Sequence, residues 1–311
     1  MLLIQQCMIH PMTGQAAWQG DVLIDHGTIL RLEPHLDPAT QRPETVLDAQ
    51  GLHLWPGLID AHTHLGLTED QTVQADPGDP AFAQAAAAGV TLVEVCPAPA
   101  MPAPRKCALW HTGRTPARLA QPGSLLLSLR GLSTAELEQA AAEAAQSERQ
   151  LRLTVCTEAE LRQALPFCRE DPEHRVLEYR LPLAACLDDL ARSGVVCIIS
   201  AARHQGQENA YALAAHLMNL GASVALSTEH PMARIHHLAL CAGLCLRHGA
   251  REEDAMAAVT RTAARALGLG SSHGRIAPGY AADLTLLDGS PLRLATAVRY
   301  TLVDGHIIYQ R

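Results

Sequence analysis

The sequence predicts an α/β protein in which a (β/α)8 barrel of the TIM type carries a small β-domain formed by both chain termini. Between residues 57 and 274, short apolar strand candidates alternate with longer helical segments, giving six to eight such units. Residues 1–56 and 275–311 instead contain short strands separated by turns. The 311 residues suffice for one barrel and this composite domain. An open doubly wound sheet is the alternative.

Local patterns place the individual elements. Alternating or continuous runs of apolar and β-branched residues predict strands over Met1–Ile9, Asp21–Ile24, Thr28–Leu32, Thr45–Asp48, Leu52–Trp55, Leu58–Ala61, Val90–Val95, Leu125–Leu129, Leu151–Val155, Val176–Tyr179, Val195–Ile199, Ser223–Leu226, Asp283–Leu287, Ala297–Val303 and His306–Tyr309. Helices are predicted over Pro80–Ala88, Thr134–Ser147, Glu158–Leu165, Leu183–Ser193, Asn209–Leu220, Arg234–His248 and Glu252–Leu269. Ser133 and Glu136 form the pattern of a capping box at the start of one helix.

Composition narrows the possible partners and the compartment. The net charge is −8 and no basic run occurs, so nothing favours binding to nucleic acid or to an anionic membrane. The nine cysteines include no CxxC pair, which predicts buried reduced thiols. No signal-peptide pattern precedes the first strand, and no apolar run approaches the ~20 residues that span a bilayer. We expect a cytoplasmic protein.

A histidine pair marks the first barrel strand. His62 and His64 follow the short run Leu58–Ala61. Because strand side chains repeat every two residues, both imidazoles project to one side. Neutral imidazoles placed in this way can share a divalent metal ion, and the carboxyl ends of barrel strands form the face that carries active sites. With 16 histidines in the chain, a chance doublet is the simpler explanation of this pair alone.

Longer motifs around this pair resemble the amidohydrolase superfamily, in particular its imidazolonepropionase-like and dihydroorotase-like members. Pro56–His64 (PGLIDAHTH) is similar to the superfamily's first barrel strand, and Ser227–Pro231 (STEHP) to its last. Gly274–Asp283 (GRIAPGYAAD), followed by Val303-Asp304-Gly305, is similar to its C-terminal signature. The resemblance covers roughly residues 1–100 and 190–311. It implies a metal-dependent hydrolase fold.

The resemblance also implies a metal-ligand set that this chain supplies only in part. His62 and His64 match the first strand, and Glu229 stands where an aspartate is usual on strand eight. The only lysine that could form a carboxylated bridge is Lys106, in a loop-like stretch. No histidine ends the segments Leu151–Thr157 and Val176–Arg180, where the family has one each. Cys156 is the one thiol that could act as a substitute ligand.

Three further residues are candidates for substrate binding at the barrel mouth. Arg203 and His204 follow a predicted strand, and His230 adjoins Glu229. A solvated loop is the simpler explanation for His204. Neighbouring residues on a strand point to opposite sides, so His230 and Glu229 cannot both face one metal.

Three functional hypotheses remain open, and the third is a purely structural role unrelated to the barrel mouth. In the first, the protein is a non-catalytic or weakly active amidohydrolase homologue with an eroded metal site. It would bind a small molecule at the mouth, form a homo-oligomer, or pair with an active amidohydrolase. In the second, one divalent ion, expected to be zinc, is held by His62, His64 and Glu229, and Glu229 also accepts a proton from the attacking water. The substrate would then be a cyclic or linear amide. The cofactor is accordingly one divalent metal ion or none, and the complete two-metal centre of the family is not expected.

Overall fold

The computed structural model describes residues 1–67, 80–97, 105–112, 121–180, 186–200 and 210–311. The predicted binding residues Arg203 and His204 lie outside these ranges. Within the described ranges the protein is of mixed α/β type, with two eight-stranded sheets. No helix in this part of the chain combines the length and the apolar character that crossing a bilayer requires.

The first sheet contains strands from both ends of the chain. Its strands are β1 (Leu2–Ile9), β2 (Trp18–Asp25), β3 (Thr28–Glu33), β4 (Thr45–Asp48), β5 (His53–Pro56), β14 (Leu284–Leu287), β15 (Val298–Val303) and β16 (His306–Gln310). Their order is β16-β15-β14-β5-β1-β2-β3, with β4 also paired to β1. The antiparallel β5–β14 pair therefore joins the two ends of the chain. Apolar residues of these strands, among them Ile4, Leu54 and Leu286, form a separate buried cluster.

The second sheet is nearly closed. Its strands are β6 (Leu58–Thr63), β7 (Val90–Val95), β8 (Arg105–His111), β9 (Gln121–Ser128), β10 (Leu151–Val155), β11 (Arg175–Tyr179), β12 (Val196–Ser200) and β13 (Ser223–Ser227), hydrogen-bonded in that order. On β10 and β11, Leu151, Leu153 and Leu177 pack into the largest apolar cluster together with helix residues. Arg152 and Glu178 alternate with them and so point to the inside of the sheet.

One strand runs against the direction expected for a fully parallel barrel. β8 is antiparallel to both β7 and β9, whereas the remaining neighbours in the sheet are parallel. Arg105 and Lys106, which the sequence assigns to a loop-like stretch, begin this strand, and the Lys106 side chain is exposed. The expectation of eight parallel strands is therefore wrong at β8. The sequence does not predict β8 because the residues before 105 are rich in proline, which is depleted in strands.

Nine helices occur in the described ranges, and all except α1 belong to the part of the chain that forms the nearly closed sheet. They are α1 (Pro38–Gln41), α2 (Pro80–Ala87), α3 (Thr134–Gln146), α4 (Glu158–Arg169), α5 (Leu187–Ala191), α6 (Ala210–Asn219), α7 (Leu238–Arg247), α8 (Glu252–Ala257) and α9 (Arg261–Ala266), with a 3-10 turn at Ile235–His237. Ser133 and Glu136 form the predicted capping box at the start of α3. α1 lies in the terminal region, between β3 and β4.

The predicted single helix Glu252–Leu269 is interrupted at residues 258–260. Leu226 N donates to Ala258 O at 2.9 Å, and Ile59 N donates to Val259 O at 2.8 Å. Ala258 and Val259 therefore connect β6 and β13, the first and last strands of the nearly closed sheet, through backbone hydrogen bonds. In a continuous helix these two carbonyls would accept hydrogen bonds from amides further along the same helix. Because they accept hydrogen bonds from β6 and β13 instead, the helix is interrupted.

Candidate functional site

The carboxyl ends of β6, β7, β11 and β13 meet at one end of the nearly closed sheet, which we call the mouth. Glu229 N donates to His62 O at 3.0 Å, and His64 N donates to His230 O at 2.9 Å. These two bonds join the segment after β13 to the end of β6. Two motifs far apart in sequence thus become neighbours at the mouth.

Asp60 fixes the segment that carries Glu229. The Asp60 carboxylate accepts hydrogen bonds from Thr228 Oγ1 at 2.5 Å, from Thr228 N at 3.2 Å and from His62 N at 3.2 Å. Burial raises the pKa of Asp60 to about 6, against the opposing effect of these bonds. Glu229 itself has a φ of 46°, in the left-handed region that non-glycine residues seldom adopt. Strained backbone of this kind is typical of functional sites.

His62, Glu178 and Glu229 form a buried group at the mouth. One possible ligand atom from each lies within 4.8 Å of the other two. His62 Nδ1 contacts Glu178 Oε2 at 3.2 Å, and all three side chains are buried. The structure therefore brings His62 and Glu229 together, and it adds Glu178, which was not predicted.

The other predicted site residues that the structure describes lie outside this group. His64 Nδ1 contacts Cys96 O at 2.7 Å, and the His62 and His64 rings are 5.1 Å apart between centroids. His230 Nδ1 accepts a hydrogen bond from Ile235 N at 3.2 Å. Cys156 is exposed at the end of β10.

Arg180 links the two carboxylates of the buried group. Its Nε donates to Glu178 Oε1 at 2.7 Å, and its Nη2 contacts the same oxygen. The same Nη2 lies 3.5 Å from Glu229 Oε1. A guanidinium that touches both carboxylates supplies the positive charge between them that a metal ion supplies in a metal centre.

Arg152 is a second buried cation directly beneath this group. Its Nη1 donates to Glu94 Oε2 at 2.5 Å, its Nη2 donates to Ala61 O at 2.5 Å, and its Nε lies 3.4 Å from Glu178 Oε2. The side chain is fully buried. A buried arginine is tolerated only when carboxylates and carbonyls satisfy it, and three strands supply these partners here.

The charges in this network shift the titration of its members. Burial alone would raise the pKa of Glu178, but His62, Arg152 and Arg180 hold it well below its usual range. Burial alone would lower the pKa of His62, whereas the Cys96 sulfur and the Glu178 carboxylate raise it to about 10. Burial also raises the pKa of the Cys96 thiol well above its usual value, so Cys96 is neutral at neutral pH. At neutral pH the Glu178 carboxylate is therefore the charged partner that raises the pKa of His62.

The donor set at the mouth does not fit a divalent ion as it stands. One observation favours an ion: His62 Nε2 is buried and has no hydrogen-bond partner in the described part of the chain. Against it, Glu178 Oε1 faces Arg180, and Oε2 faces both His62 and Arg152. A divalent cation would have to compete with two guanidinium groups for the same oxygens, and it would require a neutral His62.

Comparisons with known proteins relate segments of the chain to amidohydrolases. A family model described as "Amidohydrolase family" matches residues 247–309. An imidazolonepropionase of Chromobacterium violaceum is 44% identical over 64 residues, which are 20% of this chain and 16% of that protein. An imidazolonepropionase of Klebsiella pneumoniae is 50% identical over 44 residues, 14% of this chain and 11% of that protein. These matches span only a small part of each relative.

Solved structures share the fold over the whole chain. An amidohydrolase from Thermotoga maritima superposes with a TM-score of 0.80 at 20% identity, covering 100% of both chains. An adenosine deaminase from Xanthomonas campestris with bound zinc gives a TM-score of 0.67 at 17% identity, covering 98% and 92% of the two chains. The chain therefore shares the fold of these amidohydrolase structures, and its residues 247–309 match the amidohydrolase family model.

Four charged residues of the mouth belong to no recognisable sequence motif: Glu94, Arg152, Glu178 and Arg180. Three of them lie within short, otherwise apolar strands, in VTLVEV, LRLTV and VLEY. Lysine, arginine and glutamate are almost never fully buried unless they are paired. Single charges inside buried strand candidates were therefore a usable signal for an internal ion-pair network, although not for its geometry.

Proposed function

We propose that this protein is a non-catalytic, or at most weakly active, member of the amidohydrolase superfamily. In this proposal guanidinium groups supply the positive charge that a metal ion supplies in an active member. In this proposal the nearly closed sheet is a TIM-type barrel, residues 57–274, and residues 1–56 and 275–311 form one composite β-domain. The observation that carries the proposal is the contact of Arg180 with both Glu178 and Glu229.

Ion pairing supports this assignment. The carboxylates of Glu94, Glu178 and Glu229 lie beside Arg152, Arg180 and His62. Because basic side chains already pair with these buried carboxylates, a divalent ion would have to displace a guanidinium group to bind them. The network thus accounts for the loss of the family's histidines on strands five and six.

We infer that such a barrel acts through binding. A small molecule at the mouth, a second copy of the chain, or an active amidohydrolase are the partners we propose, with the cytoplasm as the compartment. His230, Arg203 and His204 stay candidates for contacts with the small molecule. His62 Nε2, which lacks a hydrogen-bond partner among the described residues, is a further candidate donor.

The second candidate function is metal-dependent hydrolysis of an amide C–N bond with one ion at the mouth. It is favoured by the same unpartnered His62 Nε2 and by the three-donor group. In that case His62, Glu178 and Glu229 would hold the ion, which would supply Lewis-acid activation of a water. Arg180 would first have to leave Glu178.

Metal binding in matched variants separates the two functions. The Glu229→Gln variant should contain as much metal as the wild type, because no metal depends on the mouth. The Arg180→Ala variant frees Glu178 and Glu229, so it should bind about one additional zinc per chain. Arg162→Met, which removes an exposed arginine paired with Glu158, serves as the control.

The outcomes are distinct. Elemental analysis after purification without chelator, followed by zinc titration, measures metal content in each variant. Metal that is present in the wild type and lost in Glu229→Gln, together with hydrolysis of a cyclic amide, would establish the hydrolase and refute the proposal. Equal metal content in the wild type and Glu229→Gln, with no hydrolysis, supports it.

A further inference from the structure

A second group of metal-type donors lies at the end of the nearly closed sheet opposite the mouth. It consists of His111, His273 and Asp283, with one possible ligand atom from each within 4.8 Å of the others. His111 ends β8, and it lies beside Leu92 near the start of β7 because β8 runs antiparallel. Asp283 O accepts a hydrogen bond from Gly57 N, just before β6 begins. This group shares no residue with the mouth.

Three separate parts of the fold supply these donors. His111 comes from the nearly closed sheet, His273 from the segment after α9, and Asp283 from the residue before β14 of the terminal sheet. Asp283 is 6% exposed and His111 is 8% exposed, so the group is largely shielded from solvent. An ion here would join the barrel to the composite β-domain.

The distances suit tetrahedral coordination. His111 Nε2 lies 3.2 Å and His273 Nε2 lies 3.8 Å from the same oxygen, Asp283 Oδ2. Ligands at about 2.1 Å from a tetrahedral ion are separated from one another by roughly 3.4 Å. The two measured separations bracket that value. The two histidine rings are 5.9 Å apart between centroids.

The Asp283 carboxylate has one oxygen engaged and one available. Oδ1 accepts a hydrogen bond from Asp304 N at 2.8 Å. Oδ2 is buried and accepts no hydrogen bond of acceptable geometry from the residues that the structure describes. A buried carboxylate oxygen that points at two imidazole nitrogens and lacks a proper hydrogen bond requires an explanation. A coordinated cation is the explanation that uses all three side chains at once.

We infer that His111, His273 and Asp283 bind one divalent transition-metal ion of the zinc type, with water completing the coordination. Two imidazoles and one carboxylate are a usual zinc donor set. The group lies at the amino-terminal end of the sheet, opposite the mouth. In folds of this kind the residues at that end contribute to stability and not to catalysis, so we assign the ion a structural role. No sequence motif marks this group, since the three residues are 10 to 172 positions apart in the sequence.

Cobalt(II) and zinc titration of the full-length protein tests this inference. After chelation and dialysis, the wild type should bind about one cobalt ion with the visible absorption of a tetrahedral site. His111→Gln and His273→Asn should each weaken zinc binding by roughly a hundredfold or more, because even outer-shell changes weaken it by about 10 to 100-fold. His174→Asn is the matched control, as His174 forms an exposed pair with Asp171.

A variant of the mouth distinguishes a failure of this inference from a failure of the proposed function. Glu229→Gln should retain the ion, with the same absorption spectrum as the wild type. Absence of any bound ion in the wild type would overturn this inference and leave the proposal for the mouth intact. An ion that is lost in Glu229→Gln and retained in both histidine variants would refute both. Should His111→Gln fail to fold, His273→Asn still decides the matter, since His273 lies in a loop.

Discussion

Arg152 and Arg180 determine the chemistry of the mouth because neither can lose its charge in a protein. Arg152 is fully buried against Glu94 and Glu178. A metal ion can be removed by a chelator, whereas a guanidinium is a permanent part of the chain. The charge balance of the mouth is therefore built into the sequence.

Removal of Arg152 should be strongly destabilising. Arg152→Met leaves Glu94 buried without its cation, and breaking a buried ion pair of this kind lowers stability by about 3 to 5 kcal/mol. The double variant Arg152→Met with Glu94→Gln should recover part of the loss, because the stranded charge is gone. Urea unfolding of the wild type, the two single variants and the double variant measures the coupling. Additive effects of the two substitutions would contradict the pairing.

Stability should fall as the pH rises from about 6.5 to 10. The pKa of His62 is raised from 6.5 to about 10 in the folded protein. The stabilisation is thus complete below pH 6.5 and is lost as the pH rises through the folded-state value. The difference in unfolding free energy between the wild type and His62→Gln should therefore shrink steadily over this range. His174→Gln is the exposed control. A difference that grows with pH would instead indicate a neutral His62.

The sequence predicted part of the mouth and not its cations. His62 and Glu229 were identified because they follow apolar strands within longer family motifs. Arg180 was not, since its role depends on a contact with Glu178, two residues earlier, and with Glu229, which only folding brings near. His64 carried the same motif signal as His62, yet its ring turns to a backbone carbonyl.

At the scale of single elements, α3 begins as its sequence indicates. The Ser133 hydroxyl accepts from Glu136 N, and the Glu136 carboxylate accepts from Ser133 N at 2.8 Å. Ser133→Ala should therefore lower the unfolding free energy by about 1 kcal/mol. Thr134→Ala, at the exposed neighbouring position, should have a smaller effect. Equal losses in the two variants, measured by thermal unfolding, would mean that the capping box contributes nothing.

Elements that depend on distant partners were predicted least well. The break between α8 and α9 exists because Ala258 O and Val259 O accept hydrogen bonds from Leu226 and Ile59. Nothing in the local pattern of Glu252–Leu269 signals these acceptors. The direction of β8 likewise depends on its pairing with β7 and β9, which periodicity alone does not define.

At the scale of the whole molecule, the two chain ends pair with each other and contact a helix next to the nearly closed sheet. β14 lies between β5 and β15, and Thr301 Oγ1 donates to Ala86 O of α2 at 2.7 Å. Removal of residues 298–311 should expose Leu284 and Leu286 and abolish cooperative unfolding. Removal of 306–311 alone should be tolerated, because β16 is an edge strand with little burial. Circular dichroism measures the melting temperatures of both truncated proteins. Equal values would contradict the different roles of β15 and β16.

A crystal structure from zinc-soaked crystals, with anomalous scattering recorded at the zinc edge, tests the role of Arg180 most directly. We expect the Arg180 side chain between Glu178 and Glu229 and no anomalous peak beside them. We also expect a peak between His111, His273 and Asp283. A peak about 2.1 Å from His62 and Glu229, with Arg180 displaced, would contradict the central claim that a guanidinium replaces the metal at the mouth.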